Sequence, residues 1–400
     1  MKYVVILPDG VADVPLEALG NKTPLEVAQH PHMDWIARQG AGGLVRTIPE
    51  GLSPGSDVGC MSVFGYDPRE YYTGRAPLEA AARGIELREG EVAFRCNTVT
   101  VEDGRMADYS AGHIDTEEAA ALIKTANEQL GQHGLRFHAG VSYRHLVVVG
   151  NRELAEAHCT PPHDISGQPI EPHLPTGSRS AALLRQVMEE SVPMLKAHPV
   201  NQQRLKAGKP PATMLWLWGQ GTAAALPSFQ QAYGLQGACI SAVDIVRGLA
   251  RLVGFDIIQV PGITGYFDTN YKGKAEYALK ALDRHDLVLI HIEPTDEAGH
   301  MGDVQRKIQA IEETDRLVVG TVLSGLRGRN QPFAVLVVPD HPTSTALKTH
   351  LNGPVPFAFY ATDGPTDRVM AYTESAVKGS RWQLTEGFRL MSLFLERGKR

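Results

Sequence analysis

The chain has 400 residues, 43% hydrophobic and 21% charged, an ordinary globular composition long enough for two domains or one domain with a large insertion. With 39 Lys and Arg against 45 Asp and Glu the net charge is −6, so no nucleic-acid or anionic-membrane footprint is expected, and the expected partner is a small molecule. The four cysteines form no CxxC pair, which argues against a thiolate zinc cluster or a disulfide framework, and "MKYVVILPDG" is too short an apolar start for a signal peptide or membrane span. A cytoplasmic address is expected, and composition is silent on oligomeric state.

The first element is "YVVIL" (3–7), a continuous apolar run that suits a strand buried on both faces and stops at Pro8-Asp9. Next comes "GLSPGSDVGCMSVFGYDP" (51–68), where a Pro54-Gly55 turn leads to Ser56 at the head of an apolar helical run. The local pattern leaves Ser56 open as a helix cap or as a nucleophile. "GEVAFRCNTVTVEDGRMADYS" reads as a hairpin turning at Asp103-Gly104. It is followed by a helix at 117–130, a strand in "YRHLVVVG", a loop "HCTPPHDISGQPIEPHLPTGS" and a polar helix around 180–206. "ATMLWLWG" reads as a core strand, and helical patterns at 241–254, 274–282 and 304–326 then alternate with "LVLIHI" before Glu293-Pro294-Thr295-Asp296 and "FAVLVV" before Pro339-Asp340-His341. This alternation predicts an α/β doubly wound sheet with helices on both faces, formed by 1–85 and 210–400, with a smaller α+β domain inserted at 86–209.

In such sheets ligands collect beyond the carboxyl ends of the strands, where Asp9, Asp296, Asp340 and His341 fall. Asp296 and His300 are four apart, so on a helix they share one face and suit one ion, although a surface ion pair has the same spacing. Asp340 and His341 are adjacent, so in a strand their side chains diverge toward different neighbours, which suits a two-metal site with His350 nearby. Asp9 and Asp340 would each also suit a turn that hydrogen-bonds its own backbone. Together these clusters favour oxygen and nitrogen ligands for Mn²⁺, Zn²⁺ or Mg²⁺. A metal and a helix N-terminus would in turn activate Ser56.

There is no GxSxG elbow, no GxxxxGK[ST] phosphate loop and no GxGxxG after a strand, so an ATP-dependent kinase has little local support. Arg75, Arg83, Arg95, Arg144, Lys272 and Lys274 stand in apolar or Gly-rich contexts that suit a small phosphorylated acid, or simply a solvated surface. His163 and Asp164, in a loop bounded by prolines, suit either ligand binding or a structural turn.

Taken in order, "LPDG", "PGSDVGCMSVFGYDP", "YYTGRAPLEAAARGI", "DYSAGHI", "PPHDISGQPI", "TGYFDTNYKGK", "TDEAGH" and "DHPTSTALKTH" resemble the archaeal-type cofactor-independent phosphoglycerate mutases of the alkaline phosphatase superfamily. The resemblance implies an alkaline phosphatase-like fold and a binuclear site. It assigns one ion to Asp296, His300 and His350, the other to Asp9, Asp340, His341 and the Ser56 oxygen, and no 2,3-bisphosphoglycerate cofactor. Ser56 becomes the nucleophile of a two-step transfer through phosphoserine, and Arg75, Arg144, His163, Asp164 and Lys274 become substrate contacts by context. "TDEAGHMGD", "PDHPTSTALKTH" and "GVSYRHL" look closest to a bacterial branch for which a homoserine kinase activity has been proposed. The alternatives are therefore a homoserine kinase-like phosphotransferase, a metal-dependent phosphohydrolase, or a metal-binding protein without catalysis.

Overall fold

In the computed structural model, which describes residues 1–367 and 369–396, the apolar runs become the centre of an eight-stranded sheet. Its order is Trp382–Leu384, Ala41–Val45, Val355–Ala361, Phe333–Val337, Lys2–Pro8, Leu287–Ile292, Gly237–Ile240 and Asp256–Ile257. Lys2–Pro8 runs parallel to both neighbours, pairing Val4 with Val288 and with Val335, while Val355–Ala361 is antiparallel to the strands on either side of it. Alternate residues Val4, Ile6, Val288, Ile290, Val335 and Val337 enter one core cluster. Val5, Leu7, Leu289 and Leu336, pointing to the other face, are equally buried. Burial on both faces is why these strands are continuous apolar runs; each fully buried Val, Leu or Ile contributes about 1.5–3 kcal/mol.

The helical pattern expected at 304–326 forms as Val304–Glu313, a π-helical stretch Thr314–Val319, and Gly320–Arg327. The π-helical stretch places the buried Asp315 carboxylate where it accepts from the backbone N–H of His32 (3.2 Å) and Met33 (2.7 Å), in the first turn of the helix Pro31–Gln39.

The chain divides into two compact units, Met1–Tyr72 with Ala225–Arg400, and Thr73–Ala224. The second unit is wider than the insert expected at 86–209, for a reason visible in strand pairing. The "ATMLWLWG" run forms Met214–Thr222, which pairs antiparallel with Val92–Glu102 of the same unit, and the helix Arg75–Ala82 buries Ala76 and Ala80 against Ala93, Leu146 and Val148. Val92–Glu102 also pairs with Arg105–Asp108 across the expected turn, with Asp103 at φ 48° and Gly104 at φ 69°, and with Arg144–Val149, which pairs with Leu135–His138. Helices Thr116–Leu130 and Ala181–Ala197 close this sheet through Leu122, Ile123, Leu184 and Met188. The polar helix expected at 180–206 is broken at His198, ahead of Pro199, because the residue before a proline is pushed out of helical geometry. Among the described residues no helix is long and apolar enough to cross a membrane.

Candidate active site

Three parallel strands deliver the expected ligands. Asp9 follows Lys2–Pro8, Asp296 and His300 lie in the helix Pro294–Met301 after Leu287–Ile292, and Asp340 and His341 follow Phe333–Val337. His350 arrives on a short hairpin, Thr343–Ser344 with Thr349–His350, and Ser56 opens the helix Ser56–Val63. Seating that helix takes a glycine: a Cβ at Gly59 would run into the backbone carbonyl of Asp340.

Two ligand groups result. In the first, Asp296 Oδ2 is 3.2 Å from His300 Nε2, Asp296 Oδ1 is 3.5 Å from His350 Nε2, and the two Nε2 atoms face each other at 2.8 Å. In the second, His341 Nε2 is 3.2 Å from Ser56 Oγ, 3.2 Å from Asp340 Oδ2 and 3.6 Å from Asp9 Oδ1. One ligand atom from each of Asp296, His300 and His350 falls within a 4.8 Å span, and the same holds for Asp9, Asp296 and His341. Ser56 is not the helix cap: Gly55 holds that position, and the Ser56 hydroxyl turns to His341 instead. The expected divergence of Asp340 and His341 does not occur, because the strand ends at Val337 and the bent chain beyond it brings both side chains to one point.

The site carries more buried negative charge than its own groups balance. Burial and then the charges of Asp340 and Asp296 push the Asp9 carboxyl well above the usual carboxylate range. At Asp296 burial works upward but is outweighed by hydrogen bonds from His300 and His350, and Asp340 is likewise held down, against burial, by His341 and His291. The hydrogen bond to Asp296 raises His300, while burial lowers His341. Asp9 Oδ1 is buried with no hydrogen-bond partner. An orphaned carboxylate oxygen, two imidazole nitrogens turned on each other and an excess of buried anion all fit divalent cations with O and N ligands. Cys60 is not a ligand of this set: its buried thiol, pushed well up in pKa, donates to Asp340 Oδ2 at 3.6 Å.

Residues 37–201 match the family described as 2,3-bisphosphoglycerate-independent phosphoglycerate mutase. The enzyme of that name from Methanothrix thermoacetophila is 52% identical over 395 residues, covering 99% of this chain and 100% of its own. The chain belongs to this phosphoglycerate mutase family. A Pyrococcus horikoshii protein of known structure superimposes with a TM-score of 0.84 at 28% identity, covering 100% of this chain and 98% of its own. The structure titled cofactor-independent phosphoglycerate mutase, from Thermoplasma acidophilum, gives 0.70 at 29% identity, covering all of both chains. The names of the Methanothrix and Thermoplasma proteins favour the mutase over a homoserine phosphotransferase.

The substrate contacts expected of a phosphoglycerate mutase are placed unevenly. Lys274 is completely buried, with Nζ 2.7 Å from the His291 carbonyl oxygen and 2.5 Å from Glu293 Oε2. It is held by Glu293 and the His291 carbonyl inside the protein rather than at the surface, where a substrate contact was expected. Glu293 Oε1 takes His291 Nδ1 at 3.1 Å, and His291 Nε2 reaches Asp9 Oδ2 at 2.9 Å. Burial opposes the charge on both, but Glu293 and Asp9 raise His291 to about 10, and Lys274 and His291 hold Glu293 down to about 2. Neither His291 nor Glu293 was expected; the only trace is a histidine inside the apolar run "LVLIHI".

In the Thr73–Ala224 unit, Arg95 Cζ sits 4.1 Å over the Trp218 ring, its Nε is 3.1 Å from Glu79, and the His163 ring meets Trp218 edge-on at 5.2 Å. Burial and then the charges of Arg75 and Arg144 lower the Arg95 pKa against the pull of Glu79. Burial also lowers His163, helped by Arg95 and Arg75 against Asp164, whose carboxylate is 3.6 Å from His163 Nε2. Arg75, Arg144 and His163 are thus within reach of the charge on Arg95, and Asp164 pairs with His163. Lys272 pairs instead with Glu276 on the surface, and Arg83 donates to the Ala139 carbonyl.

Proposed function

We propose that this chain interconverts 3-phosphoglycerate and 2-phosphoglycerate through a phosphoserine at Ser56. The observation that carries the reading is the Ser56 hydroxyl, placed at the positive end of its helix and 3.2 Å from His341 within the ligand groups. Ser56 Oγ forms a bond to phosphorus as the bond to the 3-oxygen of the substrate breaks; the serine gives up its proton and the departing oxygen gains one. Glycerate then presents its 2-hydroxyl, which takes the phosphoryl group back and restores the serine. Asp296, His300 and His350 would hold one divalent ion, and Asp9, Asp340, His341 and the Ser56 oxygen a second; Mn²⁺, Zn²⁺ or Mg²⁺ there would supply Lewis-acid charge for the entering and leaving oxygens.

The cluster of Arg75, Arg95 and Arg144 with His163 and Asp164 is proposed to bind glycerate, its guanidinium groups taking the carboxylate. The test gives protein loaded with Mn²⁺ either 3-phosphoglycerate, p-nitrophenyl phosphate, or homoserine with ATP. Formation of 2-phosphoglycerate without added 2,3-bisphosphoglycerate supports the mutase. Release of free phosphate alone would make it a phosphohydrolase, and phosphohomoserine would make it a kinase.

A further inference from the structure

His341 has two ring nitrogens facing several oxygens, and a count of protons decides how they pair. Its Nε2 faces Ser56 Oγ, Asp340 Oδ2 and Asp9 Oδ1, and its Nδ1 lies 3.2 Å from the Thr343 hydroxyl. The same hydroxyl is 2.5 Å from Asp296 Oδ1. A hydroxyl has one proton and a carboxylate has none to give, so Thr343 donates to Asp296 and offers His341 only a lone pair. A lone pair at that point holds the ring proton on Nδ1 and leaves the Nε2 lone pair directed at Ser56 and Asp9. Asp340 pulls the other way, since its carboxylate would draw a proton onto Nε2, where it would block metal ligation.

The fold spends several contacts on seating this one side chain. Thr343 is fully buried; its N–H donates to the Ala12 carbonyl at 3.0 Å, and its own carbonyl accepts from the buried Lys307 ammonium at 2.5 Å. Lys307 is held in turn by Asp13 at 3.2 Å. A Cβ at Gly10, which has φ +58°, would collide with the Thr343 hydroxyl, and one at Gly299 with its methyl group. The next two hydroxyls in the sequence are engaged elsewhere: Ser344 Oγ accepts from the Leu347 N–H at 3.2 Å, and Thr345 donates to Asp13.

We propose that Thr343 is a positioning residue that sets the tautomer of His341 and ties the two ligand groups together, with Asp296 on one side and His341 on the other. The inference rests on the two-metal reading above. The full-length protein, stripped with a chelator and dialysed, is titrated with Zn²⁺ in a calorimeter, and the zinc-loaded protein is read by ¹⁵N–¹H imidazole spectra. The wild type is expected to show the His341 proton on Nδ1. Thr343→Val keeps the shape and removes the hydroxyl, so zinc affinity should fall about 10–100-fold, while Thr343→Ser should stay within about threefold of wild type. Unchanged zinc affinity in a folded Thr343→Val protein would overturn the role of Thr343. So would a wild-type His341 carrying its proton on Nε2, a measurement that stands even where the valine variant does not fold. Failure of the wild type to bind zinc at all would overturn the two-metal reading and this proposal with it, a result distinct from the other two.

Discussion

Replacing Lys274 by Met decides whether that residue is a strut or a substrate contact. Lys274 is fully buried and 2.5 Å from Glu293, whose carboxyl is held down to about 2 by Lys274 and His291 against the effect of burial. Because the folded pKa of Glu293 lies below its unfolded value, the stability it contributes is fully present above about pH 4.5 and is lost as the pH falls toward 2. At pH 7.5 the whole contribution is therefore available to be removed. Methionine keeps most of the volume and none of the charge, which leaves Glu293 to His291, a residue that Asp9 also engages. Removing one partner of a buried ion pair costs about 3–5 kcal/mol. For a unit of this size each kcal/mol moves the melting temperature by about 2–4 °C, so a drop of about 10 °C is expected in scanning calorimetry. Adding Glu293→Gln removes the stranded carboxylate and should recover about half of the loss, a coupling of at least about 1 kcal/mol in the double-mutant cycle. The reasoning is refuted by a Lys274→Met protein that melts within about 2 °C of wild type and binds phosphoglycerate more weakly, because a substrate contact would give that pattern.

Ser56→Ala should lower turnover by about 10⁴-fold or more while metal analysis finds the protein still loaded, because the other ligands remain; near-normal mutase rate would remove Ser56 as the nucleophile. Gly59→Ala should destabilise the protein by about 1–3 kcal/mol in denaturant titration and weaken metal binding, since the new methyl group must displace the Asp340 backbone. His145 is pushed down to about 3 by burial and then by Arg83, below its unfolded value, so the unfolded chain takes up the proton first and stability is lost as the pH falls below about 6.5. Between pH 7.5 and pH 5 that loss is about 2 kcal/mol, and His145→Gln should show a correspondingly shallower pH dependence in urea unfolding; equal slopes for the two proteins would contradict it.

What was legible in the sequence, and what was not, divides along a physical line. Asp9 and Asp340 could be found because a strand covered on both faces tolerates only apolar residues, so the first acidic residue after the run marks where the sheet ends and a ligand can reach it. After "LVLIHI" that first acidic residue is Glu293, which turns back to His291, and Asp296 was found instead by its four-residue spacing from His300. The convergence of Asp340 with His341 was missed because period-two alternation was carried past Val337, beyond the end of the strand. The edges of the second unit were missed because "ATMLWLWG" is as apolar as any strand of the large sheet, and only its pairing with Val92–Glu102 assigns it to the other core. The burial of Lys274 was not legible for a related reason: a lysine in the Gly-rich "NYKGK" reads as a substrate contact or a solvated charge, and its buried partner, Glu293, lies 19 residues away. Yet this supporting layer leaves one readable trace. His291 is the one polar side chain among the six buried residues of "LVLIHI", where it has to find partners inside the protein, and those partners turn out to be Asp9, Glu293 and the Ser241 hydroxyl. A lone polar residue inside a doubly buried strand thus points to the supporting layer of a site, just as the acidic residues at the strand ends point to its ligands.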